Sequence, residues 1–175
     1  MSLDLSETIS GKPSGPHSDA ARAASVRPLT ETHNRAFQDL LLALDCDSRL
    51  SRFGYAASDT ALIAHTEGAL QTASGTLGIF VADRLAGVAE IYRCNDGTSY
   101  EVSLVVDAPL RKRGLGWNLL HSSMQWARGA NAQSLRLMFS RHHWAMRRLA
   151  MRAQAKLDLS LDELNAEIRL SPETL

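Results

Sequence analysis

Cysteine, proline and aromatic residues are what this 175-residue chain has least of: two Cys, five Pro and an aromatic content of 6%. Cys46 and Cys94 stand apart, without a CxxC partner and without histidines at zinc-finger spacing, which excludes a zinc module or a redox pair and predicts plain reduced thiols and no metal. Long apolar runs are missing as well. The longest stretch free of charge, residues 68–82, is interrupted by Gln71, Thr72 and Ser74. It falls short of the roughly 18–20 apolar residues that a membrane span needs. The first residues carry Asp4 and Glu7 rather than a basic start followed by an apolar core, so no secretory signal is read there and a cytoplasmic protein, with no membrane partner, is expected.

Net charge is also absent, but only as a sum. Nineteen basic residues balance nineteen acidic ones, yet residues 111–152 hold nine basic residues and no acidic one. The remaining ten basic residues therefore face all nineteen acidic residues, a surplus of nine negative charges outside that segment. The neutral total is a cancellation between two fields of opposite sign, the kind that draws an anion to one region and a cation to the other.

With 45% hydrophobic residues the chain is long enough to bury one ordinary core. Residues 1–25, rich in Ser, Gly, Pro and Ala, have no apolar period and read as a flexible arm, leaving residues 26–175 as a single domain. Val26-Arg27-Pro28-Leu29 starts like a strand. Thr30 or Thr32 can cap a helix carrying Phe37, Leu40, Leu41 and Leu44, and Ser58-Asp59 can cap a second with Ala61, Leu62, His65 and Leu70. Residues 76–82, 85–92 and 100–106 are rich in β-branched and aromatic residues and are separated by turn formers, which predicts an antiparallel meander. A helix follows from Leu115 to the Gly129-Ala-Asn131 stop, then a strand over 134–139 and a helix over 144–154. The last segment is two-faced: Leu157, Leu159 and Leu161 alternate like a strand, whereas Ser160-Leu-Asp-Glu163 resembles a capping box, and propensity alone favours a helix over 161–168.

The segment Val105-Val106-Asp107-Ala108-Pro109-Leu110-Arg111-Lys112-Arg113-Gly114-Leu115-Gly116-Trp117 carries the chemistry. A strand passes through a basic, glycine-containing loop into a helix, whose first N–H groups have no internal acceptor and whose dipole favours negative charge. Glycines let a phosphate approach the backbone. Neither GxxxxGK[ST] nor GxGxxG is present, since Leu119 stands three residues after Gly116, so nucleoside triphosphates and dinucleotides lose ground.

This segment resembles the Arg/Gln-x-x-Gly-x-Gly/Ala pyrophosphate loop of the GCN5-related N-acetyltransferases, matched in full by Arg111-Lys112-Arg113-Gly114-Leu115-Gly116. The element order β-α-α-β-β-β-α-β-α-β-β also resembles that family over residues 25–170, and Tyr100-Glu101-Val102-Ser103 leading into VVDAPLRKRGLG is similar to the bacterial protein-lysine acetyltransferase domains. The resemblance implies an α+β fold with a mixed, mostly antiparallel central sheet flanked by helices. It implies acetyl-CoA as acyl donor and, as acceptor, a primary amine of a small molecule or of a protein lysine, in a monomer or homodimer. By the resemblance, Leu104, Val105 and Val106 would bind the pantetheine arm, with the Val106 N–H facing the thioester carbonyl. Arg111, Lys112, Arg113, Gly114, Leu115, Gly116 and Trp117 would hold the pyrophosphate, and His143 and Arg147, at the start of the 144–154 helix, would lie toward the nucleotide. His143 stands where the family usually has Asn, and Ala150 where many members have a Tyr acid.

Acyl transfer to an amine needs a base for the ammonium proton. Glu101 is the first candidate, on one strand face with Ser103 and Val105, and Glu90 on the preceding strand is the second. The acidic surplus outside residues 111–152 would suit a cationic acceptor. A catalytically weak CoA-binding regulatory domain is the alternative. A nucleic-acid module is disfavoured, because Trp117, Trp126 and Trp144 are not interleaved with strand basics as base-stacking surfaces are.

Overall fold

The structure, a computed structural model, describes residues 23–160 and 162–170. Nearly all of the arm expected at 1–25 lies outside them. Seven strands form one sheet in the order β1-β2-β3-β4-β5-β7-β6. They are β1 Ala24–Pro28, β2 Gly75–Val81, β3 Arg84–Arg93, β4 Ser99–Val106, β5 Ser134–Ser140, β6 Lys156–Ser160 and β7 Glu163–Arg169. Five of the pairings are antiparallel and one, β4 with β5, is parallel. The expected meander is β2-β3-β4, and Ala82 and Asp83, both with positive φ, make the tight first hairpin turn.

Three helices, not the expected two, come between β1 and β2: α1 Asn34–Leu42, α2 Cys46–Phe53 and α3 Asp59–Thr72. The additional one is α2. Its cap is Asp45, whose side chain accepts from Ser48 N, and it ends on Gly54 at φ 77. Its apolar residues Cys46, Leu50 and Phe53 keep an i, i+4, i+7 spacing, but none is buried and the helix has only eight residues, a short signal between its longer neighbours. The Ser58 cap on α3 is as expected, with Oγ accepting from Ala61 N.

Helix α4, Leu115–Gly129, packs one face of the sheet, where Leu119 and Leu120 lie among Ile91, Val102, Leu135 and Ile168. On the other face α1 and α3 set Phe37, Leu41 and Leu62 against Phe80, Val88 and Val105. Burying a side chain such as Leu119 contributes about 1.5–3 kcal/mol. Residues 163–169 are a strand, contrary to their local helical propensity. Seven register pairs with β5 bury Leu164, Ala166 and Ile168 on alternate positions, a tertiary gain that outweighs propensity differences of at most a few tenths of a kcal/mol per residue, about. Helix α5, Trp144–Arg152, connects β5 to β6.

Candidate active site

The two central strands part in the middle of the sheet. Parallel pairing of β4 with β5 covers only Ser99, Tyr100 and Glu101 against Ser134, Leu135 and Arg136, while each strand keeps seven pairs with its other neighbour. Ladder parity settles what the split presents. Ser99 O accepts from Cys94 N and Asp107 N donates to Ala86 O, both at 2.9 Å, so odd-numbered residues of β4 bond to β3 and even-numbered ones turn toward β5. The N–H groups of Leu104 and Val106 therefore face the gap. A groove of about 800 Å3 runs through it, from α5 and the loop before α4 to the serine-bearing face of α2.

The loop at one end is built as the sequence predicts. Lys112 at φ 60 and Gly114 at φ 85 are left-handed, and they turn the chain so that successive N–H groups point outward. Gly114 O accepts from both Trp117 N and Asn118 N at 3.1 Å, which makes Trp117 the first bonded turn and leaves the N–H of Leu115 and Gly116 without a helical acceptor. A Cβ at Gly116 would lie 3.4 Å from Leu149 and 4.0 Å from Val106, ordinary contact distances, so packing against α5 does not by itself require glycine there. Arg111 donates from Nε to Val106 O at 3.1 Å and from Nη2 to Ser48 Oγ at 3.0 Å, tying the loop to α2. Arg152 lies over the Trp117 ring at 3.9 Å. Arg52, Arg111, Lys112, Arg148 and Arg152 line the groove, and among the described residues no carboxylate does.

Of the residues expected to hold the cofactor, Leu104, Val105, Val106, Arg111, Lys112, Gly114, Gly116, Trp117 and His143 line this groove. Three do not. Arg113 is exposed outside it, the Leu115 side chain is buried in the core, and Arg147 lies over Trp144 at 5.5 Å, leaving Arg148 and Arg152 as the helix's contribution. The His143 Nδ1 accepts from Met146 N at 3.3 Å and so caps α5. Burial, and then the charge of Arg111, hold His143 below the ordinary histidine value. Ala150 is fully buried and brings no hydroxyl to the site.

The two carboxylates occupy different environments. Glu90 pairs with Ser103 and Glu101 with Tyr92, so the two are diagonal neighbours on one face rather than directly opposed. Glu90 is 1% exposed, with Oε1 on His65 Nε2 at 2.8 Å and Oε2 on Arg52 Nη2. Burial, and then the charge of Glu90, push the Tyr92 hydroxyl up to about 12. Glu101 is exposed. Of the two candidates, only Glu90 bears the cost of taking a carboxylate out of water. Arg136, its ladder neighbour on β5, is held instead by Asp96 at 2.8 Å and Glu167 at 3.8 Å, and Glu101 makes no ion pair among the described residues. Sequence reasoning missed Ser48, Arg52 and His65 as site residues. Their partners are 63, 38 and 25 positions away, and only the Asp45-x-x-Ser48 cap was there to mark α2.

The family model for the Acetyltransferase (GNAT) family matches residues 29–151, and the chain belongs to that family of N-acetyltransferases. Similar solved structures include the GNAT domain of S. lividans PAT, at 17% identity, TM-score 0.72, covering 84% of this chain and 90% of that one. A RimL ribosomal L7/L12 alpha-N-protein acetyltransferase in complex with coenzyme A is similar at 16% identity and TM-score 0.73, covering 89% and 98%. A Vibrio cholerae spermidine N-acetyltransferase in complex with CoA and spermine is similar at 14% identity and TM-score 0.71, covering 86% and 98%. A search of curated proteins finds no match. Among the described residues no helix is long and apolar enough to cross a membrane.

Proposed function

We propose that the protein transfers an acetyl group from acetyl-CoA directly to a primary amine bound at the α2 end of the groove. The observation that carries this reading is the split between β4 and β5, which joins a basic helix-N-terminal loop to two strand N–H groups in one continuous groove. Acetyl-CoA would supply an activated thioester. The N–H groups of Leu115 and Gly116, with Arg111 and Lys112, fit its pyrophosphate; Leu104 and Val106 offer the pantetheine arm a strand edge; Arg148 and Arg152 add positive charge beyond. The Val106 N–H is the donor placed for the thioester carbonyl oxygen, where negative charge grows during transfer.

Glu101 serves as the base. Both oxygens of Glu90 are already engaged by Arg52 and His65, whereas Glu101 is open to water one pleat, about 7 Å, before Ser103, so a water relays the ammonium proton to it. Glu90 then holds Arg52 in place. The test is a thermal shift with CoA together with thiol release across a panel of amines. Stabilisation by CoA and release with at least one amine are expected, and the absence of both would sink the reading. CoA stabilisation without thiol release for any amine would instead favour a CoA-binding regulatory role.

A further inference from the structure

The acceptor end of the groove is not the acidic pocket that the charge surplus suggested. Its polar wall consists of Ser48, Ser51 and Arg52 on one face of α2 and Ser103 on β4, and among the described residues no Asp or Glu lines the groove. The spacing of i, i+3 and i+4 puts the three α2 residues on one side. Every one of these groups can donate a hydrogen bond. The Ser103 Oγ is buried without a partner. Arg52, with its side chain 15% exposed, lies at 4.9 Å over the Phe53 ring and uses only Nη2 toward Glu90 among the hydrogen bonds of the described residues. A guanidinium has five N–H donors in a planar fork, so a charged edge stays open toward the groove.

Such a wall is a poor host for a second ammonium. A polyamine or a basic peptide would bring positive charge against Arg52 with no carboxylate to receive it, at a desolvation cost that nothing in the groove offsets. A carboxylate next to the reacting amine is the group the wall complements: two oxygens against a pre-anchored fork, with serine hydroxyls beside it. Resting on the acetyl-transfer reading above, we propose that Arg52 is a specificity residue and that the acceptor is an amine bearing a carboxylate close to the reacting nitrogen, of the amino-acid type. Glu90 and Phe53 fix the guanidinium before the acceptor arrives, so little ordering is left to be done on binding.

The experiment compares free amino acids with their primary amides and their decarboxylated amines as acceptors, with spermine and a lysyl peptide alongside. The expected kcat/KM for the carboxylate form exceeds that of its amide by about tenfold or more, the loss that accompanies removal of a charge-assisted hydrogen bond. Arg52→Gln should abolish that preference, bringing the kcat/KM of the acid and of the amide to the same value. Arg52→Lys, which keeps the charge without the fork and leaves Glu90 paired, guards against a folding defect and should lie between. A second readout needs no turnover: N-acetyl amino acids, but not their amides, should raise the melting temperature of the wild type and not of Arg52→Gln. Equal rates for acid and amide, a preference for spermine or the lysyl peptide, or no shift with the acetylated acid would overturn the proposal. Because the last measurement omits CoA, its outcome is separate from whether CoA binds.

Discussion

The two ends of the groove are built in opposite ways. The end proposed for the pyrophosphate is a stretch of seven consecutive residues, Arg111 to Trp117, in which two left-handed positions and a helix start do the work within one loop. The end proposed for the acceptor draws Ser48, Ser51 and Arg52 from α2 and Ser103 from β4, with Glu90 of β3, itself bound by His65 of α3, anchoring Arg52 from behind the lining; only the register of the sheet and the packing of α1 to α3 on it bring these together. A site made by one loop is set by local backbone chemistry and tolerates divergence elsewhere. A site assembled from distant segments can change its chemistry with a single surface helix, which fits a family whose members share a donor and differ in acceptor.

The largest effect should come from breaking the loop. Gly114→Val forces a β-branched residue into φ 85 at the helix start. The expected outcome is a loss of CoA affinity of about a hundredfold or more, since a strain of ~1–3 kcal/mol adds to the loss of aligned N–H groups. Calorimetric titration of CoA checks it, and the far-ultraviolet spectrum should stay close to wild type. Retention of CoA affinity would show that the basic side chains, rather than the backbone, hold the pyrophosphate.

Next comes a substitution that should spare the loop altogether. Glu101→Gln is expected to lower kcat by about a hundredfold or more, in the range for removal of a general base, and to leave CoA affinity unchanged because Glu101 lies outside the groove lining. Steady-state kinetics at saturating CoA measure the first and titration the second. Glu90→Gln serves as the contrast: it should disturb acceptor KM and thermal stability through Arg52 and His65 rather than remove the base. If Glu90→Gln lost more kcat than Glu101→Gln, the roles assigned to the two carboxylates would be reversed.

How much could be read in advance follows the same division. The meander, the strand-loop-helix passage and the helices α1, α3, α4 and α5 were legible because each is announced by local periodicity or a cap, Ser58 before Ala61 being the plainest. Strand β7 was legible only through the resemblance, whose element order ends in two strands, because locally Ser160 to Glu163 imitates a capping box and the β5 partner decides the outcome. Arg147 was preferred to Arg148 and Arg152 because residues on a helix differ by 100° each, roughly, and the sequence does not reveal which turn faces the groove. Glu101 and Glu90 looked alike as lone acids in apolar strands, yet one is exposed and the other buried between Arg52 and His65. Burial of a strand residue depends on what covers that face, and over Glu90 that is Arg52 of α2 and His65 of α3, which lie 38 and 25 positions away in the chain.

The smallest effect concerns His143, which belongs to the loop end but is reached from α5. As the neutral imidazole its Nδ1 accepts from Met146 N, and the protonated ring loses that acceptor while its positive charge meets Arg111. Burial first, and then the nearby charge of Arg111, hold His143 in the folded protein below the value of the unfolded chain. A group with a depressed histidine pKa binds fewer protons when folded, so its contribution is fully present above the unfolded value of about 6.5 and is lost as pH falls from there through the folded value. His143→Asn keeps a capping acceptor without a titrating group. The melting temperature of wild type should fall more steeply than that of His143→Asn as pH drops from about 7 toward 5, with a difference of about 1 kcal/mol or less, the size of one cap. Parallel pH profiles would mean that the cap at α5 does not depend on the protonation of this ring, and would leave the basic groove wall at Arg111 as the main electrostatic feature of the loop end.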